Sequence, residues 1–168
     1  MNDQPITKKI KARLQRYTAM LRDIDNQLER LDRMEATMTA PPGPDLSGMP
    51  RGSGTPTDRT GMMVIRKIEL EEKIKRTLKK ERAENAAIEA MIEQLEKPDE
   101  RAVIRLRYFD RAEWDGITSV LFGDRPDYVD RLESYQNRTY KMHGRALLEL
   151  AAVLDAEEVK GTKRQEKE

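Results

Sequence analysis

Apolar residues near one end of this chain share a single register: Ile10, Leu14, Tyr17, Leu21, Ile24, Leu28 and Leu31 alternate steps of four and three. That spacing puts all of them on one face of an α-helix. The segment from about Thr7 to Met38 is therefore predicted to be a helix that buries a narrow stripe against a partner. The other faces are almost wholly polar, and Lys8, Lys9, Lys11, Arg13 and Arg16 crowd the first turns. Narrow stripes are all the chain can offer, because charged residues make up 38% of its 168 residues, hydrophobic ones 37% and aromatic ones 5%. One large globular core is excluded by that balance, whereas long amphipathic helices suit it.

The pattern stops abruptly at residues 39–61, which hold five of the eight prolines and five of the nine glycines. Proline removes a backbone donor and glycine raises the entropy cost of ordering, so this stretch reads as a long loop. A second helix is expected from about Met62 to Leu95, with Ile74, Leu78, Ile88, Ile92 and Leu95 as its stripe. Glu81 and Asn85 fill the intervening seam positions, and a polar residue such as Asn85 fixes helix register at some cost in stability. Two matched seams joined by a loop predict a long helical hairpin over residues 1–96 that packs against a second copy. The basic runs from Lys8 to Arg16 and from Lys73 to Arg82 read as solvated helix faces, with auxiliary phosphate binding as the alternative.

Several function classes drop out at once. There is no cysteine and only one histidine, His143. Disulfide frameworks, thiol nucleophiles and histidine-rich metal centres are thereby removed. No acidic spacing matches a metal site or a catalytic carboxylate pair, and no glycine loop suits a phosphate cradle. No enzyme activity and no cofactor are expected. The chain lacks an apolar run of membrane-spanning length and a signal-peptide core, so no membrane partner and a cytoplasmic setting are expected.

Pro98 marks the next boundary, since proline suits the first turn of a new helix. A compact unit is predicted over residues 97–154, followed by a flexible charged tail over 155–168. Val103, Ile104, Leu106 and Tyr108 give a first short helix, and Trp114, Ile117, Val120 and Leu121 a second, which Gly123 ends. A third begins near Ser134, with Thr139, Met142, Ala146, Leu147, Leu150 and Val153 on its apolar side. Short helix, turn and longer helix form the helix-turn-helix plan, in which the last member enters the major groove. Between Ser134 and Leu148 there is no acid. Gln136, Asn137, Arg138 and Lys141 are side chains able to contact base edges, and Arg145 and Arg138 can pair with phosphates. Trp114 reads as a core residue. His143 suits either a nucleic-acid contact or helix packing, and Gly144 implies a close helix contact.

The segments RLRYFDRAEWDGITSVLF and SYQNRTYKMHGRALLEL resemble the last helix-turn-helix of bacterial sigma factors, the region-four domain. The likeness is closer to sigma-like proteins of phages and prophages, the ArpU- and RinA-like late-transcription regulators. It rests on Tyr108, Phe109 and Trp114, on Leu121 to Tyr128, on Ser134 and on His143 to Leu147, and covers about the last third of the chain. The upstream helix–loop–helix, with MPRGSGT at Met49 to Thr55, is also similar. Two departures stand out: the turn between the helices is several residues longer, and Thr139 stands where valine is usual.

The resemblance implies an all-α protein that binds double-stranded DNA sequence-specifically as a phage or prophage transcription regulator in the host cytoplasm. In that reading Ser134 caps the recognition helix, Gln136, Asn137, Arg138 and Lys141 enter the groove, and Arg145 holds phosphate. One helix-turn-helix offers few contacts, so homo-oligomerisation through the long helices, or help from RNA polymerase, is expected. The rival expectations are a small-terminase-like DNA-packaging subunit and a coiled-coil interaction module with a vestigial helix-turn-helix.

Overall fold

The computed structural model describes residues 5–40 and 59–165, all of whose regular structure is helical. A short 3-10 turn at Pro5–Thr7 leads into α1 (Lys8–Thr39), followed by α2 (Arg59–Ile92), α3 (Pro98–Ile104), α4 (Trp114–Phe122) and α5 (Leu132–Gln165). Most of the proline- and glycine-rich stretch, including Met49 to Thr55, lies outside the described residues. The chain divides into two compact units, Met1–Ala19 with Arg82–Glu168, and Met20–Glu81. The division falls inside α1 and α2, so each helix contributes one end to each unit. The first unit thus takes in residues 97–154 together with both ends of the stretch over 1–96.

In the first unit, Ile10, Leu14 and Tyr17 of α1 are buried, as are Ile88, Met91 and Ile92 at the end of α2 and Leu95 just beyond it. Each such side chain contributes about 1.5–3 kcal/mol on leaving water. Polar contacts fix the register: Arg13 makes a two-pronged ion pair with Glu84 at 2.7 and 3.1 Å, and Asn85 Nδ2 donates to the Tyr17 hydroxyl at 2.7 Å. Arg101 then donates to the Leu95 carbonyl at 2.6 Å, holding the short link between α2 and α3. Pro98 opens α3 as expected, with Asp99 and Glu100 in the first turn, where carboxylates favour the helix dipole.

The chain next winds through a π-helical turn at Arg105–Phe109, in which the Asp110 amide donates to the Arg105 carbonyl at 3.1 Å. The wide turn brings Phe109 to 4.9 Å from Tyr17, ring centre to ring centre, and offers the Tyr108 carbonyl to the Thr18 hydroxyl at 3.0 Å. Arg111, at φ 58°, takes the left-handed conformation that redirects the chain into α4.

In the second unit Ile24, Leu70 and Ile74 are buried, and Lys67 Nζ pairs with Glu35 Oε1 at 2.9 Å. Here the expected seam needs correction. Leu28 is 41% exposed, whereas Gln27 is 6% exposed and donates to Asp23. An α-helix turns once per 3.6 residues, so a strict heptad stripe drifts around it, and the buried line passes from Ile24 to Gln27 instead.

α5 runs on through the charged segment after Leu154 to Gln165. Its Ala, Glu, Lys, Arg and Gln residues are good helix formers, and no proline interrupts it.

Candidate nucleic-acid interface

Two aromatic-rich joints set the direction of α5. Val103, Ile117, Phe122 and Met142 form one core cluster, against which Trp114, Leu121, Tyr128 and Tyr135 pack. The buried side of α4 is therefore Trp114, Ile117, Thr118, Leu121 and Phe122. Val120, expected on that side, is 69% exposed, because it projects from the flank of Ile117 and Leu121 opposite to Thr118 and Phe122. Thr118 and Thr139 are both buried and share a hydroxyl hydrogen bond of 3.2 Å between α4 and α5. Gly123 follows α4 at an ordinary right-handed φ of −58°, so positive φ is not why it is glycine. The reason is closeness: a Cβ there would stand 2.5 Å from the Ser119 carbonyl oxygen.

The turn leading into α5 is pinned at Asp127. The Tyr135 hydroxyl donates to its Oδ1 at 2.7 Å, and Arg131 donates to its Oδ2 at 3.2 Å. The Tyr135 bond, then Arg131, holds the Asp127 carboxyl below its ordinary range, and the same carboxylate raises the Tyr135 phenol. Phe122 and Tyr135 stack with ring centres 4.9 Å apart. The Tyr135 amide bonds to the Arg131 carbonyl at 3.1 Å, which makes Arg131 the capping position. Ser134, expected there, lies instead inside the first turn of α5 and is exposed.

α5 is two-faced. Thr139, Met142, His143, Ala146, Leu147, Leu150 and Ala151 are buried, while Ser134, Asn137, Arg138, Lys141 and Arg145 are exposed. Ser134 to Arg145 spans about 16 Å along the axis. The Arg138 guanidinium carbon sits over the Phe122 ring, 5.2 Å from its centre, a cation–π contact. Arg145 Nε lies 3.4 Å from Oε1 of Glu100, whose side chain is 0% exposed and which Lys97 also meets at 3.4 Å. Gln136 is half-buried and donates to Asp115 at 2.9 Å, tying α5 to the start of α4.

His143 is buried, with Nε2 3.1 Å from the Tyr108 hydroxyl and its ring edge-on to Trp114 at 5.0 Å, which is a packing role. Trp114 is half-buried beneath the Arg107 guanidinium at 4.8 Å. Gly144 corrects an expectation: a Cβ there would meet nothing within 4 Å, so no neighbouring helix demands its small size. It lines an open groove of about 930 Å³ along the exposed side of α5, whose lining also includes Thr7 and Lys11 from the start of the chain.

No local sequence signal marks Glu100, whose buried position depends on how α3 meets α5, and Lys11 falls in the basic run that reads as a solvated face with phosphate binding as the alternative. The Lys8 to Arg16 cluster was the available signal for Lys11. Among the described residues no group of three or more metal-ligating side chains assembles, and no helix is long and apolar enough to cross a membrane. No protein-family model, curated protein or solved structure matches this chain.

Proposed function

We propose that this chain binds double-stranded DNA through a helix-turn-helix in which α4 supports α5 and α5 reads the major groove. It would act as a transcription regulator of the phage or prophage sigma-like kind, within a bacterial host cell. The observation that carries the reading is the division of α5 into two faces. Its apolar side packs into the unit, while Asn137, Arg138, Lys141 and Arg145 stand outward over about two turns without an intervening acid. Cationic and amide side chains at that spacing suit base edges and phosphates together. Gln136, held by Asp115, serves to orient α5, and Ser134 adds a hydroxyl to the exposed side.

The test is selection of bound duplexes from a random pool by the purified chain. Enrichment of a common site supports the reading, and affinity no better than for a scrambled competitor removes it.

Exposed Met62, Val64, Ile65 and Ile68 on α2 favour self-association of the Met20–Glu81 unit, which would supply a second reading helix. Contact with RNA polymerase would serve the same end. Light scattering separates the readings: a dimer fits the regulator, and a molar mass far above dimer favours a ring-forming packaging subunit of the small-terminase kind. Self-association without DNA affinity favours a protein-interaction module.

A further inference from the structure

The groove beside α5 has banks from two distant parts of the sequence. One bank is the start of the chain, with Thr7 and Lys11; the other is α5, with Arg138, Lys141 and Arg145. Four cations line it against one carboxylate, Glu133. Gly144 lies between Lys141 and Arg145, and space is open above its Cα, so a ligand can approach the helix backbone there. Arg145 is held in place by the buried Glu100 carboxylate at 3.4 Å while more than half of its side chain remains exposed. A fixed cation beside an open backbone, faced by a lysine from another helix, suits a chain of phosphates better than a flat base edge.

We propose that this groove is the track for one phosphodiester strand, gripped between Lys11 of α1 and Lys141 and Arg145 of α5. It rests on the DNA-binding reading and deepens it. Lys11 becomes a sequence-independent phosphate contact that is no part of a helix-turn-helix, and the first turns of α1 become part of the binding surface. The fold accounts for the pairing, because the Pro5–Thr7 turn packs directly on α5.

The experiment measures affinity of the full chain for a mixed-sequence duplex of about 30 base pairs across about 50–200 mM salt. Lys11→Ala should weaken binding about 5- to 10-fold near 0.1 M salt and lower the salt slope by about 0.9, equally for every duplex tried. Lys141→Ala should lower the slope by a similar amount, and the double variant by about twice that. Lys11→Arg should retain the wild-type slope, and Arg30→Ala, at an exposed position of the other unit outside both basic runs, should change nothing. If the wild type binds DNA but Lys11→Ala has an unaltered slope, the groove assignment is overturned while the DNA-binding reading stands. A change of base preference with an unaltered slope also overturns it. If the wild type shows no salt-dependent DNA binding at all, both proposals fall together. Should Lys11→Ala melt early, Lys11→Gln, which keeps most of the stem, carries the same comparison.

Discussion

Arg145 Nε stands 3.4 Å from Oε1 of Glu100, a carboxylate with no exposed surface, so a cation proposed for phosphate also completes a buried ion pair. Lys97, the other cation on that oxygen, is 53% exposed, and Glu100 Oε2 has no hydrogen-bond partner among the described residues. Arg145→Ala therefore removes one of the two cations that, among the described residues, meet this buried acid. Exposure of Arg145 screens the pair, so the cost falls near the low end of about 1–3 kcal/mol. The expected drop in melting temperature is about 2–4 °C, with no comparable drop for Lys141→Ala. In a Glu100→Gln background the Arg145→Ala penalty should largely vanish. Equal melting of Arg145→Ala and Lys141→Ala would remove the buried-anchor role.

How much of this was legible beforehand depends on range. The local signals were strong: Pro98 opens α3, and Ile10, Leu14, Tyr17, Ile88, Ile92 and Leu95 are buried as their spacing requires. The pattern misleads where it runs past its natural period or where a partner lies far away in sequence. Leu28 continues a heptad that a straight helix does not keep, and Val120 adjoins a stripe that instead turns through Thr118 to Phe122. Ser134 resembled a cap, yet α5 begins earlier because Asp127 and Arg131 organise the turn from the other side. Gly144 suggested a helix contact, and only the fold reveals open space there. Lys11 and Lys141 are separated by 130 positions, and no local pattern encodes that they line one groove.

Arg138 tests base reading. Its guanidinium rests over the Phe122 ring at 5.2 Å, so its position is set from within the unit rather than by ligand alone. Arg138→Ala should relax preference at one position of the selected site by about 1–3 kcal/mol while leaving other positions ranked as before. A binding profile unchanged across a randomised pool would reject Arg138 as a base contact.

Asp127 makes the entry to α5 sensitive to acid. Its carboxyl lies below the ordinary value of 3.8 because the Tyr135 hydroxyl donates to it, with Arg131 contributing. The folded turn thus holds a proton less readily than the unfolded chain. Its stabilisation is full above the ordinary carboxylate range and is lost as pH falls through the lowered folded value. Tyrosine near-UV circular dichroism should fall on that acid limb, and Asp127→Asn should flatten it. Identical acid profiles for the two proteins would show that the turn is held by the aromatic stack alone.

Gly144→Ala separates fold from function. Nothing lies within 4 Å of the added methyl group, and the backbone there is helical, so alanine meets no clash. Relative to glycine it should stabilise α5 by about 1 kcal/mol and raise the melting temperature by about 2–4 °C. Destabilisation instead would mean that a neighbouring helix does press on this position.

The pairing of α1 with α2 in the first unit turns on Tyr17 and Asn85. Both lie in seam positions, and the Asn85 amide meets the Tyr17 hydroxyl at 2.7 Å, beside the Phe109 ring packed 4.9 Å from that of Tyr17. An apolar pair at this level would tolerate sliding by a turn, whereas a slipped register leaves the amide facing apolar neighbours. The contribution is therefore larger in specificity than in stability. A double-mutant cycle of Tyr17→Phe and Asn85→Ala should return a coupling of about 0.5–1.5 kcal/mol by denaturant unfolding. Additive effects would place the register in the Arg13–Glu84 ion pair instead, and Arg13→Ala would then be the variant that loosens the helices.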